Sequence, residues 1–403
     1  MTVFNVMDVA YAGGAKNDST TNDAAAINAA IAAANAAGGG VVYFPAGSGY
    51  KTNSSFTNLN TGVSVLGEGW NASIIKPNFH GNTFTIPTGQ EGIAIRQIGI
   101  APIITQNTGY AIEMTDGLSV VIEDVNIFDR FGHVDQGIHV KGSGGYKVYI
   151  NRVQVNGAIG DGIVLGTYNT TEFPQNTFIE NCEVALCNNG ITAFGGYTEV
   201  YNTECLTNRA NGFLTYPDNG GVVGIKIVSC LSDTNQGHGY KIDAGGAGAG
   251  GKVTGLEMDL CWAGNNGNLG SSWNASGGIY MNTEVEQLKI GNCYTAVNGI
   301  DGMYLRASKN AQINDNRVEG NGQAGPAGTY GGFTIASGAA IWQVNGNVFD
   351  GQSYGTYPQK QGWGITVNPA LTKVALVGNI ALNNTVANWN LSTLTPLTNT
   401  GNV

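Results

Sequence analysis

The feature that most constrains the fold is a short unit that recurs along most of the chain. In its clearest copy, residues 221–251, Ile225 and Ile227 alternate with polar or small residues, a polar turn follows, and the alternation resumes at Tyr240 and Ile242. A period of two is typical of β-strands with one buried face, and the spacing of three and four that a helix needs is lacking. The unit therefore predicts a strand, a corner, a second strand, a turn and a third strand.

Two landmarks mark each copy of the unit. An apolar or cysteine residue occupies the corner at intervals of 23 to 32 residues: Val125, Val153, Cys182, Cys205, Cys230, Cys261, Cys293, Val318, Val348 and Ile380. A glycine followed by a large apolar residue opens the third strand: Gly137, Gly162, Gly190, Gly212, Gly239, Gly278, Gly302, Gly332 and Gly364. Constant landmarks with variable gaps indicate a fixed core section with loops of unequal length between its strands.

Such a unit cannot bury its inner face alone, because only stacking on neighbouring units closes the core. We therefore predict an all-β fold, a right-handed parallel β-helix of about ten to twelve coils in one structural domain. Residues 1–50 would form an N-terminal strand and a capping α-helix, with Thr21 or Asn22 as its N-cap. Residues 51–385 would form the solenoid, and residues 386–403 a C-terminal cap or tail.

Stacking predicts columns of like residues. Five of the six cysteines occupy the predicted corner column, where we expect them to be reduced and to pack as small apolar side chains. Asparagines directly before the corner predict a partial hydrogen-bonded ladder: Asn181, Asn292, Asn347 and Asn379. These cysteines do not indicate which redox compartment the protein occupies.

The composition narrows the classes of partner. The 62 glycines and 11% charged residues suit tight turns between stacked strands, and a net charge of −10 argues against nucleic acid. The sequence contains no stretch of eighteen apolar residues, so no membrane span is predicted. The first residues, MTVFNVMD, lack the features of a signal peptide, so a signal was removed or export follows another route, such as assembly into a phage particle. We expect an extracellular or virion-associated protein.

A family resemblance rests on the N-terminal residues. The order of a strand, GGAKNDSTTNDAAAINAAI, GGGVVYFPAG and repeated units resembles the pectate-lyase-like (pectin-lyase-fold) superfamily of right-handed parallel β-helix proteins. Its members include pectate and pectin lyases, polygalacturonase-type hydrolases, mannuronan epimerases and phage tailspike depolymerases. The resemblance is specific at residues 4–50 and generic to about residue 385. It implies a polysaccharide as ligand and, as in related depolymerases, a homotrimer.

Two motifs of that superfamily are missing. No Asp-Pro-His of the epimerase group occurs, and the tripeptide Gly237-His238-Gly239 of the hydrolase group lacks its paired aspartates in the preceding units. The resemblance therefore does not select a reaction.

The outward positions of the third strands predict a candidate active face. Residues at matching positions of stacked strands lie roughly 4.8 Å apart. Four consecutive units gather there the residues Tyr216, Lys241, Asp243, Tyr280, Tyr304 and Arg306. His238 lies at the start of the same strand as Lys241. Loops at residues 244–251 and 263–277, the latter with Trp273, are expected to form walls beside the face.

These residue types suit a glycan. Tyrosines and Trp273 offer flat surfaces for sugar rings, and Lys241 and Arg306 can neutralise a uronate carboxylate. Lys241, Arg306 or a tyrosine can take the proton from C5, although Arg306 suits a carboxylate clamp better because it stays charged and binds in a bidentate manner. His238 could move a proton near neutral pH. The alternative is a solvated face on which the Lys241–Asp243 pair contributes little.

A rival site consists of acids. Asp135 and Asp161 occupy related turn positions one coil apart, and two carboxylates about 5 to 10 Å apart are what glycoside hydrolysis requires. Turn aspartates also cap backbone for structural reasons alone. The run His133-x-Asp135-x3-His139 crosses a turn, so we predict no metal there and no cofactor; Ca²⁺ is not indicated by any dense aspartate cluster.

The function predicted is therefore a polysaccharide-degrading enzyme, with β-elimination preferred. The alternatives are a glycoside hydrolase that uses paired carboxylates and a non-catalytic glycan-binding tailspike or fibre module. The unequal insertions favour an enzyme, because a plain fibre would have uniformly short turns.

Overall fold

The computed structural model describes residues 1–129, 132–144, 146–168, 170, 173–217, 222–243, 252–270, 272–283, 285–337, 341–368, 371, 373–391 and 397–402. The chain is an all-β parallel solenoid of about 12 turns, which confirms the predicted fold class. Its contacts divide it into two compact units, Met1–Asn188 with Gly196–Glu199 and Asn189–Gly195 with Val200–Val403. No helix within the described ranges is long and apolar enough to cross a membrane.

The first unit carries the helix and sixteen complete strands. The helix is α1 (Ala24–Ala36). The strands are β1 (Val3–Asn5), β2 (Asp18–Asn22), β3 (Gly40–Phe44), β4 (Gly49–Thr52), β5 (Val63–Gly67), β6 (Ile74–Pro77), β7 (Phe84–Ile86), β8 (Ala94–Ile100), β9 (Tyr110–Thr115), β10 (Leu118–Phe128), β11 (Gln136–Lys141), β12 (Tyr146–Asn151), β13 (Gln154–Asn156), β14 (Ile163–Leu165), β15 (Gln175–Glu180) and β16 (Glu183–Ala185).

The helix is present as predicted, but its N-cap is Asp23 rather than Thr21 or Asn22. The Asp23 carboxylate makes no capping bond to the helix, because it accepts hydrogen bonds from the backbone N–H groups of Lys16 (2.7 Å) and Asn17 (3.1 Å). An acidic residue at the start of a helix usually accepts a hydrogen bond from a backbone N–H group in the first turn of that helix. Here the carboxylate instead holds the preceding loop, a contact that the local sequence does not reveal.

The second unit repeats three strands per turn. Its strands are β17 (Ile191–Ala193), β19 (Glu204–Leu206), β20 (Phe213–Thr215), β21 (Val222–Val228), β22 (Leu231–Asp233), β23 (Tyr240–Ile242), β24 (Lys252–Asp259), β25 (Trp262–Gly264), β26 (Ile279–Met281), β27 (Val285–Gly291), β28 (Tyr294–Ala296), β29 (Met303–Asn314), β30 (Arg317–Glu319), β31 (Gly331–Ser337), β32 (Ile341–Asn345), β33 (Val348–Asp350), β34 (Trp363–Val367), β35 (Val374–Val377), β36 (Ile380–Leu382), β37 (Ala387–Asn390) and β38 (Leu397–Thr400). One further strand, β18 (Gly196–Tyr201), begins in the first unit and ends in the second.

The third strands stack in the predicted register. Phe213 pairs with Tyr240, Tyr240 with Ile279 and Ile279 with Met303, all in parallel. The glycine before each of them is sterically required. A Cβ at Gly239 would lie 2.7 Å from the carbonyl oxygen of Gly278, closer than real Cβ contacts come. The glycine landmark therefore reports a close approach of stacked backbones.

The corner column is only partly as predicted. Cys230, Cys261 and Cys293 follow one another in successive turns, each directly before a short strand. Cys205 does not join them, because it lies inside its short strand and pairs with Ser232. Val318 likewise lies inside its short strand, where it pairs with Thr295, and is not in the corner column.

The residue that turns the chain explains this error. In the second unit each first strand is followed directly by a residue with left-handed φ: Asn202, Ser229, Leu260, Asn292, Asp315, Gly346 and Gly378. A left-handed φ is unfavourable for most residues with a side chain, but the residue types found at these positions are diverse. An apolar residue near the corner is therefore an unreliable marker of the turn itself.

All six cysteines are free and buried. Burial raises the pKa of the Cys182 thiol to about 12, which suppresses the reactive thiolate. We expect a thiol reagent to label the native protein slowly and all six residues rapidly after unfolding. Rapid labelling of most thiols in the native state, or two native disulfides by mass spectrometry, would contradict the assigned burial.

Two ladders of side-chain amides run through the second unit. At the corner, Asn316, Asn347 and Asn379 each donate from Nδ2 to the Oδ1 of the next asparagine at 2.9 Å, and the ladder ends at Asn402. The prediction is thus confirmed at Asn347 and Asn379. It is wrong at Asn292, whose side chain donates outward to Asp259.

The second ladder was not predicted. It lies at the turn after the short strands and joins buried amides over successive turns: Asn208, Asn235, Asn266, Asn298, Asn321 and Gln361. Its Nδ2 to Oδ1 distances are 2.9 to 3.0 Å between the asparagines. Stacked amides satisfy turn backbone that would otherwise be buried without partners.

Candidate functional site

The outward side of the third strands in the second unit carries the predicted residues in the predicted positions. We call it the tyrosine face and define it by Tyr216, Lys241, Asp243, Tyr280, Tyr304 and Arg306. Lys241 pairs with Tyr280, and Tyr280 pairs with Tyr304, in adjacent parallel strands. The same row continues through Thr334 and Thr366 to Asn390. The structure thus brings Lys241, Tyr280 and Tyr304 into one row, with Tyr216, Asp243 and Arg306 two residues further along their turns.

Three rings of the face stack on one another. His238 lies on Tyr280 with 4.3 Å between ring centroids, and Tyr280 lies on Tyr304 at 5.0 Å, each pair tilted by 19°. Tyr280 therefore has both ring faces covered and offers a ligand only its edge and hydroxyl. Tyr216 packs edge-on against Phe194 at 6.2 Å.

A cavity of about 340 Å³ lies at the end of this stack, lined by Tyr304, Thr334, Thr366, Asn368 and Asn390 among others. Because Thr334 follows Tyr304 on the side away from Tyr280, the outer face of Tyr304 borders the cavity. Hydroxyl and amide groups beside one aromatic face match the needs of a sugar ring.

A polar chain runs alongside the rings. Lys241 Nζ lies 2.9 Å from Asp243 Oδ2, and Asn282 Nδ2 donates to Asp243 Oδ1 at 2.9 Å. Arg306 Nη1 donates to the backbone oxygen of Asn282 at 2.9 Å. Two cations and one anion leave this row with net positive charge, in a chain whose net charge is −10. A local field of this sign attracts an anionic sugar.

His238 is held neutral. Its Nδ1 accepts a hydrogen bond from the Gly277 N–H at 2.8 Å, so the ring proton is on Nε2. Burial, followed by the nearby charge of Lys241, lowers the pKa of His238 to about 3. The environment therefore does not support the expected proton transfer near neutral pH, and His238 serves as the end of the ring stack.

Asp301 is a site residue that the sequence reasoning missed. It is 8% exposed, and its Oδ1 accepts the Gly331 N–H at 2.6 Å beside the row residue Thr334. Burial raises the pKa of Asp301 to about 6. The signal was available, because Asp301 directly precedes Gly302 as Asp161 precedes Gly162. A carboxyl of this kind can give or take a proton near neutral pH.

The raised pKa of Asp301 predicts a pH-dependent stability. The folded chain binds this proton more tightly than the unfolded chain, so the contribution is favourable below pH 4 and is lost as the pH rises to about 6. The variant Asp301→Asn should gain about 2 to 3 kcal/mol on the wild type between pH 4 and pH 7. Denaturant unfolding across this range measures it, with exposed Asp315→Asn as control. A difference that does not vary with pH would contradict the assignment.

The rival acids lie in the first unit. Asp135 and Asp161 occupy neighbouring turns, where the backbone oxygen of Asp135 accepts from Gly160 and that of Asp161 accepts from Gly137. The Asp161 carboxylate accepts from Asn188 Nδ2 at 3.0 Å. Burial raises the pKa of the Asp135 carboxyl. Their backbones serve the turns, and their side chains remain a candidate pair.

The outward row of the first unit holds a polar cluster around Glu113. Glu113 contacts Lys141 at 2.9 Å, His139 Nδ1 at 3.5 Å and Asn82 at 2.7 Å. The bond to His139, followed by Lys141, lowers the pKa of Glu113 to about 2. His139 Nε2 donates to the Gly166 oxygen at 2.9 Å. His139 is therefore engaged with Glu113 and does not join Asp135 in a metal site.

No group of three or more potential metal ligands occurs among the residues that the structure describes. Trp273 packs edge-on against Tyr357 at 5.7 Å, so the insertion at residues 263–277 meets the insertion at residues 351–362. Trp273 was expected beside the tyrosine face, and its ring contacts Tyr357 of another insertion. The repeat pattern does not specify loop conformations, so the sequence did not predict this contact. The loop at residues 244–251 lies outside the described residues.

A family model described as rhamnogalacturonase A/epimerase, pectate lyase-like matches residues 3–214. The chain belongs to this family. The predicted resemblance to pectate-lyase-like proteins is thereby confirmed. No curated protein matches the chain.

Solved structures similar to this family member share its fold. The A-module of mannuronan C-5 epimerase AlgE4 from Azotobacter vinelandii is 19% identical over 96% of both chains, with a TM-score of 0.63. The catalytic unit of a GH87 α-1,3-glucanase from Streptomyces thermodiastaticus is 14% identical over 100% of this chain and 68% of its own, with a TM-score of 0.58. Pre-mature gene product 12 of bacteriophage phi29 is 15% identical over 94% of this chain and 53% of its own, with a TM-score of 0.57.

Proposed function

We propose that this protein degrades a polysaccharide of an extracellular, capsular or cell-wall type, and that the tyrosine face is its active site. The observation that carries the proposal is the row in which Lys241, Asp243 and Arg306 run beside stacked tyrosines that end at a cavity. The family of this chain and the carbohydrate-active enzymes that share its fold support a substrate of this class.

The preferred reaction is β-elimination at a uronate. Arg306 and the field of the row neutralise the carboxylate, which acidifies the C5 proton. Lys241 passes one ammonium proton to the Asp243 carboxylate, 2.9 Å away, and takes the C5 proton in its place. A C4–C5 double bond forms and the bond from C4 to the glycosidic oxygen breaks. Burial raises the pKa of Tyr280, so its hydroxyl stays protonated and donates a proton to the leaving oxygen. The proton held by Asp243 then returns to Tyr280 through water, which restores the ion pair of Lys241 and Asp243.

A second candidate reaction is hydrolysis by Asp135 and Asp161. It is favoured by the burial that raises the pKa of Asp135, because a raised pKa suits a general acid. A non-catalytic glycan-binding module is the remaining alternative.

Digestion of a panel of uronate-containing and neutral polysaccharides tests the proposal. β-Elimination yields ultraviolet-absorbing unsaturated ends together with new reducing ends. Reducing ends without such absorbance indicate hydrolysis, and an absence of new ends on every polysaccharide of the panel would overturn the enzymatic assignment.

We also propose an extracellular or virion-associated location and a homotrimeric assembly. Assembly of related depolymerases as trimers supports this proposal. Light scattering that gives the mass of one chain, 41.8 kDa, at micromolar concentration would exclude the trimer.

A further inference from the structure

The first unit contains a cavity that the proposed function does not use. It has a volume of about 330 Å³ and lies on the outward side of the short strands. We call it the Trp70 pocket and define it by the lining residues Trp70, Asn126, Phe128, Asp129, Gln154 and Glu183. Asn126, Gln154 and Glu183 occupy the same position in three successive turns, so their side chains form one polar row. Ligand pockets begin at about this size.

One wall of the pocket has an unmet hydrogen bond. Asn126 is 7% exposed, and its Nδ2 donates to Gln154 Oε1 at 2.9 Å. Its Oδ1 is buried without a hydrogen-bond partner. In either orientation of the amide, one of its two polar atoms lacks a partner. The buried amide of Asn126 is thus part of the lining but is closed to a ligand, and the exposed amide of Gln154 beside it is the group that a ligand can reach.

The opposite wall is aromatic. Trp70 and Phe128 are both half-buried and line the cavity. Gly99 permits their approach, because a Cβ at this position would collide with the backbone oxygen of Trp70 and lie 3.2 Å from Phe128 Cε1. Aromatic faces opposite a row of amides suit a ligand with an apolar face and a polar rim, as a pyranose ring has.

The charge of the residues that line the pocket determines whether a charged or a neutral sugar can bind. Among the described residues of the lining, the ionisable ones are the acids Asp129 and Glu183, and Asp129 lies 3.6 Å from the Nδ1 of His133. An acidic lining repels a uronate or a phosphate but accepts hydrogen bonds from hydroxyl groups. The lining of the Trp70 pocket thus has the opposite charge to the positively charged tyrosine face.

We propose that the Trp70 pocket is a non-catalytic binding site for one or two neutral sugar residues. Trp70 and Phe128 contact the apolar face of the ring, and Gln154 donates a hydrogen bond from Nε2 to one of its hydroxyl oxygens. Such a site holds the protein on a neutral glycan independently of the chemistry at the tyrosine face.

Calorimetric titration of the intact protein tests this site with neutral tetrasaccharides of glucose, mannose and galactose and with tetragalacturonate. We expect at least one neutral tetrasaccharide to bind the wild type and the Tyr280→Ala variant equally. Trp70→Ala and Gln154→Ala should each weaken that binding about tenfold or more. Tetragalacturonate should not compete for the pocket.

Thermal unfolding of each variant checks that it folds, and the exposed position of Gln154 makes Gln154→Ala decisive if Trp70→Ala is unstable. The proposal is overturned if no neutral tetrasaccharide binds, if Gln154→Ala and a folded Trp70→Ala bind as the wild type does, or if Tyr280→Ala alone abolishes binding. The last result would assign the ligand to the tyrosine face.

Discussion

Replacement of Lys241 by alanine is expected to lower turnover of the polysaccharide substrate by about a hundredfold or more, and Arg306→Ala should do the same. Both cations lie in the row that would stabilise negative charge on the uronate as the C5 proton leaves. Loss of an interaction made in the transition state at this level corresponds to about 2.7 kcal/mol. Steady-state kinetics of the purified variants measure the effect, which should appear in kcat and not only in KM.

Neither replacement should unfold the protein. Lys241 has 27% of its side chain exposed and pairs with Asp243 at the surface, so a change near 0.5 kcal/mol in the free energy of unfolding is expected. Lys289→Ala is a matched control, because Lys289 forms an exposed pair with Glu257 away from the face. Retained activity in Lys241→Ala, together with its loss in Asp135→Asn and Asp161→Asn, would transfer the chemistry to the acid pair.

Replacement of Asn266 by alanine should destabilise the protein by about 3 to 5 kcal/mol. This fully buried amide accepts from Asn235 Nδ2 at 2.9 Å and donates to the Asn298 Oδ1 at 3.0 Å and to the Ser232 oxygen at 3.1 Å. Its removal takes hydrogen-bond partners from Ser232 and Asn235 in one neighbouring turn and from Asn298 in the other. Chemical denaturation measures the loss.

The half-buried loop residue Asn268 provides the comparison. Its side chain accepts one bond from the Gly270 N–H, and Asn268→Ala should cost less than about 1 kcal/mol. Equal costs for the two asparagine variants would mean that the ladder contributes no more than an ordinary surface turn.

The solenoid and the register of its third strands were predictable because one steric requirement recurs. A Cβ at Gly137, Gly190, Gly212, Gly239 or Gly278 would collide with the backbone of the next turn, and one at Gly302 with side chains, so glycine is required and the landmark is constant. The corners were less predictable. Their left-handed φ is met by residues as different as Asn202, Ser229 and Leu260, which left Cys205 assigned to the wrong column.

The outward row of the site followed from the same register, since Lys241, Tyr280 and Tyr304 are placed by the strands that carry them. The sequence does not show which neighbouring groups each of these side chains contacts. Mutual stacking covers both faces of Tyr280, and burial lowers the pKa of His238 to about 3. Such properties depend on neighbours from other turns and on loops whose paths the repeat does not specify.

A crystal structure of the Lys241→Ala variant with a bound oligosaccharide of the polysaccharide that the wild type degrades would test the central claim most directly. We predict a sugar chain that lies across the tyrosine face, with a ring against the outer side of Tyr304 and a carboxylate beside Arg306. An oligosaccharide bound instead at Asp135 and Asp161, with the tyrosine face free of sugar, would contradict the assignment of the active site.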